Sequence, residues 1–324
     1  MREIGEACGL SQSTVSRALS GNLMIPERTR KKVQAVAVSL GYMPDARMNE
    51  LMARVRHGRK SGYQGQLAIL YLKAGVRNKL SALKQLQQMV LGARERAEEL
   101  GYGITEFSPE EEQLEGRGLA RFLEARGIKG CLFTAPKSPD IDLDFSWERF
   151  SCVSMGFLST NPRLHASIPD WTADARRATS HLLAEGKRRI GFVYETNSDP
   201  ALGDAWLGGY ASILLSRGIR PLVLRGSSIP VARIRKWAKE KRVDSVVSHS
   251  DFVGKALQGM EVPPAIVFVN LDQPRPGQRG LITRCRETGR GALSLLVEQI
   301  RHGVVGVPEC RKKIMVAGTW TEAL

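Results

Sequence analysis

From residue 64 onward, short apolar runs alternate with amphipathic stretches, and this alternation most narrows what the 324-residue chain can fold into. Strands are expected at Leu67–Leu72, Gly103–Phe107, Gly130–Thr134, Ser151–Met155, Arg189–Tyr194, Leu222–Leu224, Ser245–His249 and Ile266–Asn270. Helices are expected between them at 80–100, 113–126, 173–185, 205–217, 231–241, 252–260 and 288–301. In the first of these, Leu83, Leu86, Val90, Ala93, Ala97 and Leu100 make one apolar stripe. Strand followed by helix, repeated, implies a parallel sheet, because parallel neighbours need a long crossover and a helix supplies it. The length allows two or three domains, and 42 % hydrophobic residues is enough to fill their cores.

The first sixty residues have a different pattern. Arg2 to Cys8 reads as a short helix, Gly9-Leu10-Ser11 as a turn, and Gln12 to Leu19 as a second helix capped by Ser11. Val15, Ala18 and Leu19 share one side of that second helix. Ser13 and Arg17, four apart, lie on the other side with Gln12 and Ser16. A third helix starts near Pro26, buries Val33, Val36, Ala37 and Leu40, and stops at Gly41. This is a helix-turn-helix pattern. A helix that enters a major groove must be slim and must present donors and acceptors rather than bulk. Gln12, Ser13, Thr14, Ser16 and Arg17 are therefore the candidate DNA-contacting residues. The alternative is a small helical cap with a solvated face.

Charge supports the first reading. Lys and Arg outnumber Asp and Glu 48 to 33, a net +15. Residues 1–62 carry eleven of the cations against five acids. Such an excess favours a polyanion. The stretch "DARMNELMARVRHGRKSG" spaces Met48, Leu51, Met52 and Val55 as one helical stripe among five basic residues. At about ten residues it is too short to be a stable helix alone, which by itself makes it a frayed basic linker between domains. The five scattered cysteines read as reduced thiols. With no leader-like start and no apolar run near the roughly 18 residues that span a bilayer, a cytoplasmic, nucleoid-associated protein without a membrane partner is expected.

The segments "IGEACGLSQSTVSRALSG" and "TRKKVQAVAVSLGYMPD" resemble the LacI/GalR family of bacterial repressors. The Val-Ser-Arg core, the Thr-Arg that opens helix three, and LGYxP followed by Asp45 match in order and spacing. The chain begins two or three residues later than relatives do, and Pro26 stands where a capping Ser is common. The resemblance implies a small all-α helix-turn-helix domain at 1–43 and a hinge helix at 44–63. A two-lobed α/β core similar to type I periplasmic sugar-binding proteins follows at 64–324. The expected lobes are about 64–158 with 288–312, and about 159–287 with 313–324, joined by three crossings. In the hinge, Leu51 falls where relatives carry a leucine that wedges between base steps. Asn49 replaces the family's arginine, and Arg47 or Arg54 stands in for it.

The core resemblance is visible in "GARERAEELGY", "ATSHLLAEGKRRIGFV" and "GRGALSLLVEQIRHG". It places ligand contacts at Asp170, Trp171, Trp206, Ser250, Asp251 and Asp272, with Trp206 and Ser250 departing from the family's arginine and asparagine. A sugar or purine-like effector, double-stranded operator DNA and a homodimer are the implied partners. No cofactor, metal site or catalytic constellation is expected. "SHSD" places its Ser, His and Asp side by side, where a relay cannot form, and "DIDLDF" lacks the glycine and glutamate of a calcium loop. The expected function is a ligand-modulated transcriptional repressor. The alternatives are a DNA-binding regulator without an effector, a sugar-binding protein on the same scaffold, and an enzyme.

Overall fold

The computed structural model describes residues 2–19, 25–39, 63–195, 200–260 and 266–322, with a few helical positions in 2–39 and 200–203 described by backbone alone. Helices α1 (Arg2–Cys8), α2 (Gln12–Leu19) and α3 (Glu27–Ser39) pack on one another. Their shared core is Ile4, Cys8, Val15, Ala18, Val33 and Ala37. The turn between α1 and α2 relies on two glycines. Gly9 holds φ +68°, which favours glycine, and a Cβ on Gly5 would stand 2.7 Å from the Leu10 carbonyl oxygen. The Ser11 hydroxyl accepts from the Thr14 amide at 3.2 Å, which satisfies an orphan donor of α2.

Twelve strands follow among the described residues. They are β1 (Gly65–Tyr71), β2 (Tyr102–Phe107), β3 (Ile128–Thr134), β4 (Ser151–Met155), β5 (His165–Pro169), β6 (Ile190–Glu195), β7 (Leu222–Gly226), β8 (Ser245–Ser248), β9 (Val267–Asn270), β10 (Arg279–Ile282), β11 (Lys313–Val316) and β12 (Thr319–Thr321). They form two six-stranded sheets, ordered β11-β5-β4-β3-β1-β2 and β12-β10-β9-β8-β6-β7. All neighbours are parallel except β12, which runs antiparallel to β10. The connecting helices are α4 (Lys84–Leu100), α5 (Gly116–Ala125), α6 (Trp171–Ala184), α7 (Pro200–Leu215), α8 (Val231–Glu240), α9 (Asp251–Leu257) and α10 (Cys285–His302). Strand alternation feeds both faces of the first sheet. Leu67, Ile69 and Tyr71 of β1 join the α4–α10 layer, while Ala68 and Leu70 join the α5 layer.

The chain passes between the sheets three times, after Pro169, after Ile282 and after Val316. These crossings correct the expected lobe boundaries. β5 and β11 belong to the first sheet, so residues 159–169 and 313–316 lie in lobe one, not lobe two. α10 starts at Cys285 and packs on lobe one. β5 escapes the sequence pattern because "HASIP" is short and carries a His, a Ser and a Pro, although all five residues are buried. Its polar groups are bonded within lobe one. The Ser167 hydroxyl donates to the Thr288 carbonyl at 2.8 Å, and His165 Nδ1 accepts from the Lys312 amide at 2.9 Å.

Helices α4 and α10 make the tightest helix pair of the core. A Cβ on Gly92 would stand 1.9 Å from the Arg286 carbonyl oxygen, and one on Gly289 would stand 1.8 Å from that of Met89. Each glycine lets the partner's backbone approach. Around the contact, Arg286 pairs with Glu95, and Arg290 pairs with Glu99 at 2.8 Å. Gly289→Ala therefore overpacks the crossing and costs about 1–3 kcal/mol in urea unfolding. Gly118→Ala, in α5 with open space around it, leaves the midpoint unchanged or slightly raised.

Candidate nucleic-acid interface and inter-lobe cleft

Two places in the chain gather the expected site residues. The first is α2. Its buried side is set by Val15 and Ala18, and the helical repeat puts positions 13 and 17 on the opposite side of the backbone. Gln12 is exposed. Thr14 is half-buried, with its hydroxyl 2.9 Å from that of Ser11, so it helps cap the helix from which it projects. Lys32 of α3 donates to the Cys8 carbonyl at 3.3 Å and ties the third helix to the end of α1. Ser13, Ser16 and Arg17 lie on α2 by backbone position. Arg47, Asn49, Leu51 and Arg54 lie outside the described residues.

The second place is the set of strand carboxyl ends where the lobes meet. A cavity of about 1000 Å³ opens there. Lobe one supplies Thr134 and Met155 at the ends of β3 and β4, Phe157, and Leu83, Gln85 and Met89 around the start of α4. Gln273, Ile282, Thr283 and Arg284 close the other side. The lining surface is mostly apolar, with polar side chains such as Gln85, Thr134, Gln273 and Thr283 among it, a composition and size that suit a small molecule.

A hydrogen bond spans this cleft. Gln85 Nε2, in the first turn of α4, donates to Asp272 Oδ1 at 2.6 Å. Asp272 follows β9 in lobe two and also accepts from the Thr283 hydroxyl at 3.1 Å. Gln273 then donates from Nε2 to the Thr283 carbonyl at 3.0 Å, which ties this loop to the second crossing.

None of the six expected ligand residues lines the cavity: Asp272 touches it only through its lining partners Gln85 and Thr283, and the other five lie near strand ends. Asp170 accepts from the Ala173 amide at 3.0 Å as the cap of α6, and Trp171 packs on the lobe-two core. Trp206 is 1 % exposed and stacks on His249 at 5.0 Å. Burial moves the His249 imidazole below its usual value, which favours the neutral form of the stacked ring. The Trp206 indole nitrogen is buried with no hydrogen-bond partner among the described residues. Ser250 precedes α9, and its amide donates to the Ser248 hydroxyl at 3.2 Å. Asp251 accepts from Gln278 at 2.6 Å and pairs with Arg275 at 3.0 Å and Lys255 at 3.4 Å. The Gln278 hydrogen bond, helped by these cations, holds Asp251 below the ordinary carboxylate value.

Sequence reasoning missed Gln85 and Thr283, which carry no motif and become neighbours only when the lobes meet. It also missed Asp174. This buried carboxylate accepts from the Gly318 amide at 2.8 Å, while Arg177 donates to the Gly318 carbonyl at 2.7 Å. Together the two side chains clamp the third crossing onto α6.

The profile of the bacterial regulatory proteins of the lacI family matches residues 1–45. The first 45 residues are thus similar to the members of that family. Catabolite control protein A of Streptococcus mutans is 27 % identical over 218 residues, which is 67 % of this chain and 61 % of that protein. The chain thus spans about three-fifths of the length of this curated relative. Among solved structures, the transcriptional regulator CelR–cellobiose complex aligns with a TM-score of 0.59 and 21 % identity, covering 98 % of this chain and 97 % of that one. The lac repressor dimer bound to operator and the anti-inducer ONPF aligns with a TM-score of 0.58 and 18 % identity, covering 98 % and 96 %. The fold is accordingly a helix-turn-helix domain followed by a periplasmic-binding-protein-like core. No described helix is long and apolar enough to cross a membrane.

Burial raises the Asp174 carboxyl to about 6, against the pull of the Gly318 amide and Arg177. A folded-state value above the unfolded one means that the native state binds the extra proton. Its contribution is complete below about pH 4 and is lost as pH rises through 6. Asp174→Asn keeps an acceptor without the charge. In thermal melts its Tm relative to the parent therefore rises between pH 4 and pH 7; a constant difference across that range contradicts the assignment.

Proposed function

We propose that the chain is a sequence-specific DNA-binding transcriptional regulator. It acts as a repressor, as a homodimer on a near-palindromic operator, with a small molecule in the inter-lobe cleft modulating its affinity. The observation that carries the reading is the compact three-helix unit with a Ser11-capped, polar second helix, inside the stretch matched by the lacI-family profile. In this reading Gln12, Ser13, Thr14, Ser16 and Arg17 face the major groove. Residues 44–63 form the hinge, with Leu51 as the minor-groove wedge flanked by Arg47, Asn49 and Arg54. One such helix offers too little surface for tight recognition, so two copies read two half-sites. Arg17→Ala should weaken specific binding about 10- to 100-fold in a gel-shift assay and leave the molar mass by light scattering unchanged. Operator affinity equal to the parent's would remove Arg17 from the reading face.

The effector reading rests on the cavity and on the two aligned structures, one a cellobiose complex and the other an anti-inducer complex. Asp272 is the best placed of the six candidate contacts, because displacing Gln85 would free its carboxylate toward the cavity. Asp170, Trp171, Trp206, Ser250 and Asp251 would have to leave their present partners or packing to join it. An effector of sugar or purine type should raise Tm and change operator affinity about 5- to 150-fold.

A second reading, a DNA-binding regulator with no effector, is favoured by one observation: Gln85 of the same chain already occupies Asp272. A calorimetric and gel-shift panel of sugars and purines in which nothing binds and nothing shifts operator affinity would select this second reading.

A further inference from the structure

The charge excess has a second centre, far along the chain from the helix-turn-helix. Residues 217–243 contain nine Lys and Arg against one acid, Glu240. That net +8 exceeds the +6 of residues 1–62, and the two stretches together account for nearly all of the +15. All nine cations are exposed.

The fold gathers several of them at one end of lobe two. β7, β6 and β8 are adjacent and parallel, so the residues just before each strand lie side by side, about 5 Å apart from strand to strand. Those residues are Arg217 and Arg220 before β7, Arg188 and Arg189 before β6, and Lys241 and Arg242 before β8. This is the amino end of the sheet. The cleft lies at the carboxyl ends, so the cations are on the side of lobe two away from it.

The carboxylates within this end are engaged locally. Asp244 accepts from the amides of Arg188 and Arg189 at 2.8 and 2.9 Å, and from the Ser245 hydroxyl at 2.9 Å. Glu240 reaches Lys236 at 3.8 Å on its own helix. The Arg188 and Arg189 side chains bond backbone carbonyls, those of Leu183 and Lys187 and of Lys241 and Arg242, so their guanidinium groups are held in place without an ion-pair partner among the described residues. Among the described residues, Arg217, Arg220, Lys241 and Arg242 have no carboxylate partner.

We propose that this end of lobe two is a second anion-binding face that grips the phosphate backbone of a separate DNA duplex. The protein would then bridge two DNA segments, one at the helix-turn-helix and one at this face. The charge is spread over three strand starts rather than focused in a pocket, which suits a polymer of phosphates. The apolar residues beneath it, Ile190, Leu214 and Val243, are buried, with Leu215 exposed at its margin. The surface therefore offers charge where a protein partner would look for a desolvated apolar anchor. Phosphate contacts of this kind carry little sequence preference and weaken steeply with salt.

The test uses the full chain and two unrelated 30-base-pair duplexes, one on beads and one fluorescent and free. The parent should capture the free duplex on the beads. The variant Arg217→Ala/Arg220→Ala/Lys241→Ala/Arg242→Ala should lose that capture at least tenfold, while still binding the bead duplex and keeping the parent's molar mass in light scattering. Its log–log salt slope for duplex binding should be shallower by about 3–4, near 0.9 for each phosphate that is no longer neutralised. Arg17→Ala, which tests the front end alone, should leave the salt-sensitive component intact, so failure of one face is distinguishable from failure of the other. Capture by the variant equal to the parent's, or no capture by the parent, overturns the proposal. So does displacement of the duplex by polyglutamate at lower charge concentration than by competitor duplex, which would assign the face to an acidic protein.

Discussion

The mutual approach of α4 and α10 through Gly92 and Gly289 is the contact on which the core's topology depends. α10 begins just past the second crossing, so the chain that has completed most of lobe two returns and packs on lobe one. Only a backbone-to-backbone contact brings it close enough to bury Leu293, Leu295 and Leu296 against the first sheet. Without that return, β11 would have no place beside β5, and the third crossing would not exist. The lobes are thus interleaved parts of one chain path. Any relative motion between them must be absorbed at residues 169–171, 282–285 and 316–319.

The crossings differ in how they are held. At the first, Asp170 caps α6 through the Ala173 amide, and its own amide donates to the Val316 carbonyl at 2.9 Å. At the third, Asp174 and Arg177 hold the amide and the carbonyl of Gly318. One helix start therefore governs two of the three connections. At the second, Gln273 and Thr283 link the loop after β9 to the segment entering α10, next to the carboxylate that Gln85 reaches from lobe one. Ligand in the cavity would act on this second connection, while α6 fixes the other two.

Much of this was legible in the sequence, and the reasons are specific. The three N-terminal helices are readable because each signal is local: Ser11 as a cap, Gly9 in the turn, the Val33–Val36–Ala37 stripe. The longer strands are readable because β1, β3 and β6 are mostly apolar runs, as strands covered on both faces must be. β5, β10, β11 and β12 were not legible. They are three to five residues long, and β5 fills its polar positions with side chains whose partners lie more than a hundred residues away. The lobe boundaries failed with them, because only strand pairing assigns a short strand to a sheet. In the cleft, Asp272 was marked by the family resemblance, whereas Gln85 had no mark of its own. A residue whose partner is 187 positions distant leaves no trace in local spacing.

The Gln85–Asp272 bond has a consequence for how any visitor to the cleft would be measured. A side chain tethered at a 2.6 Å contact is a resident competitor that no dialysis removes. The observed dissociation constant is the intrinsic one divided by the fraction of molecules in which the amide has swung away. Titrations on the intact chain would therefore understate how well the vacated carboxylate recognises a hydroxyl or an amine.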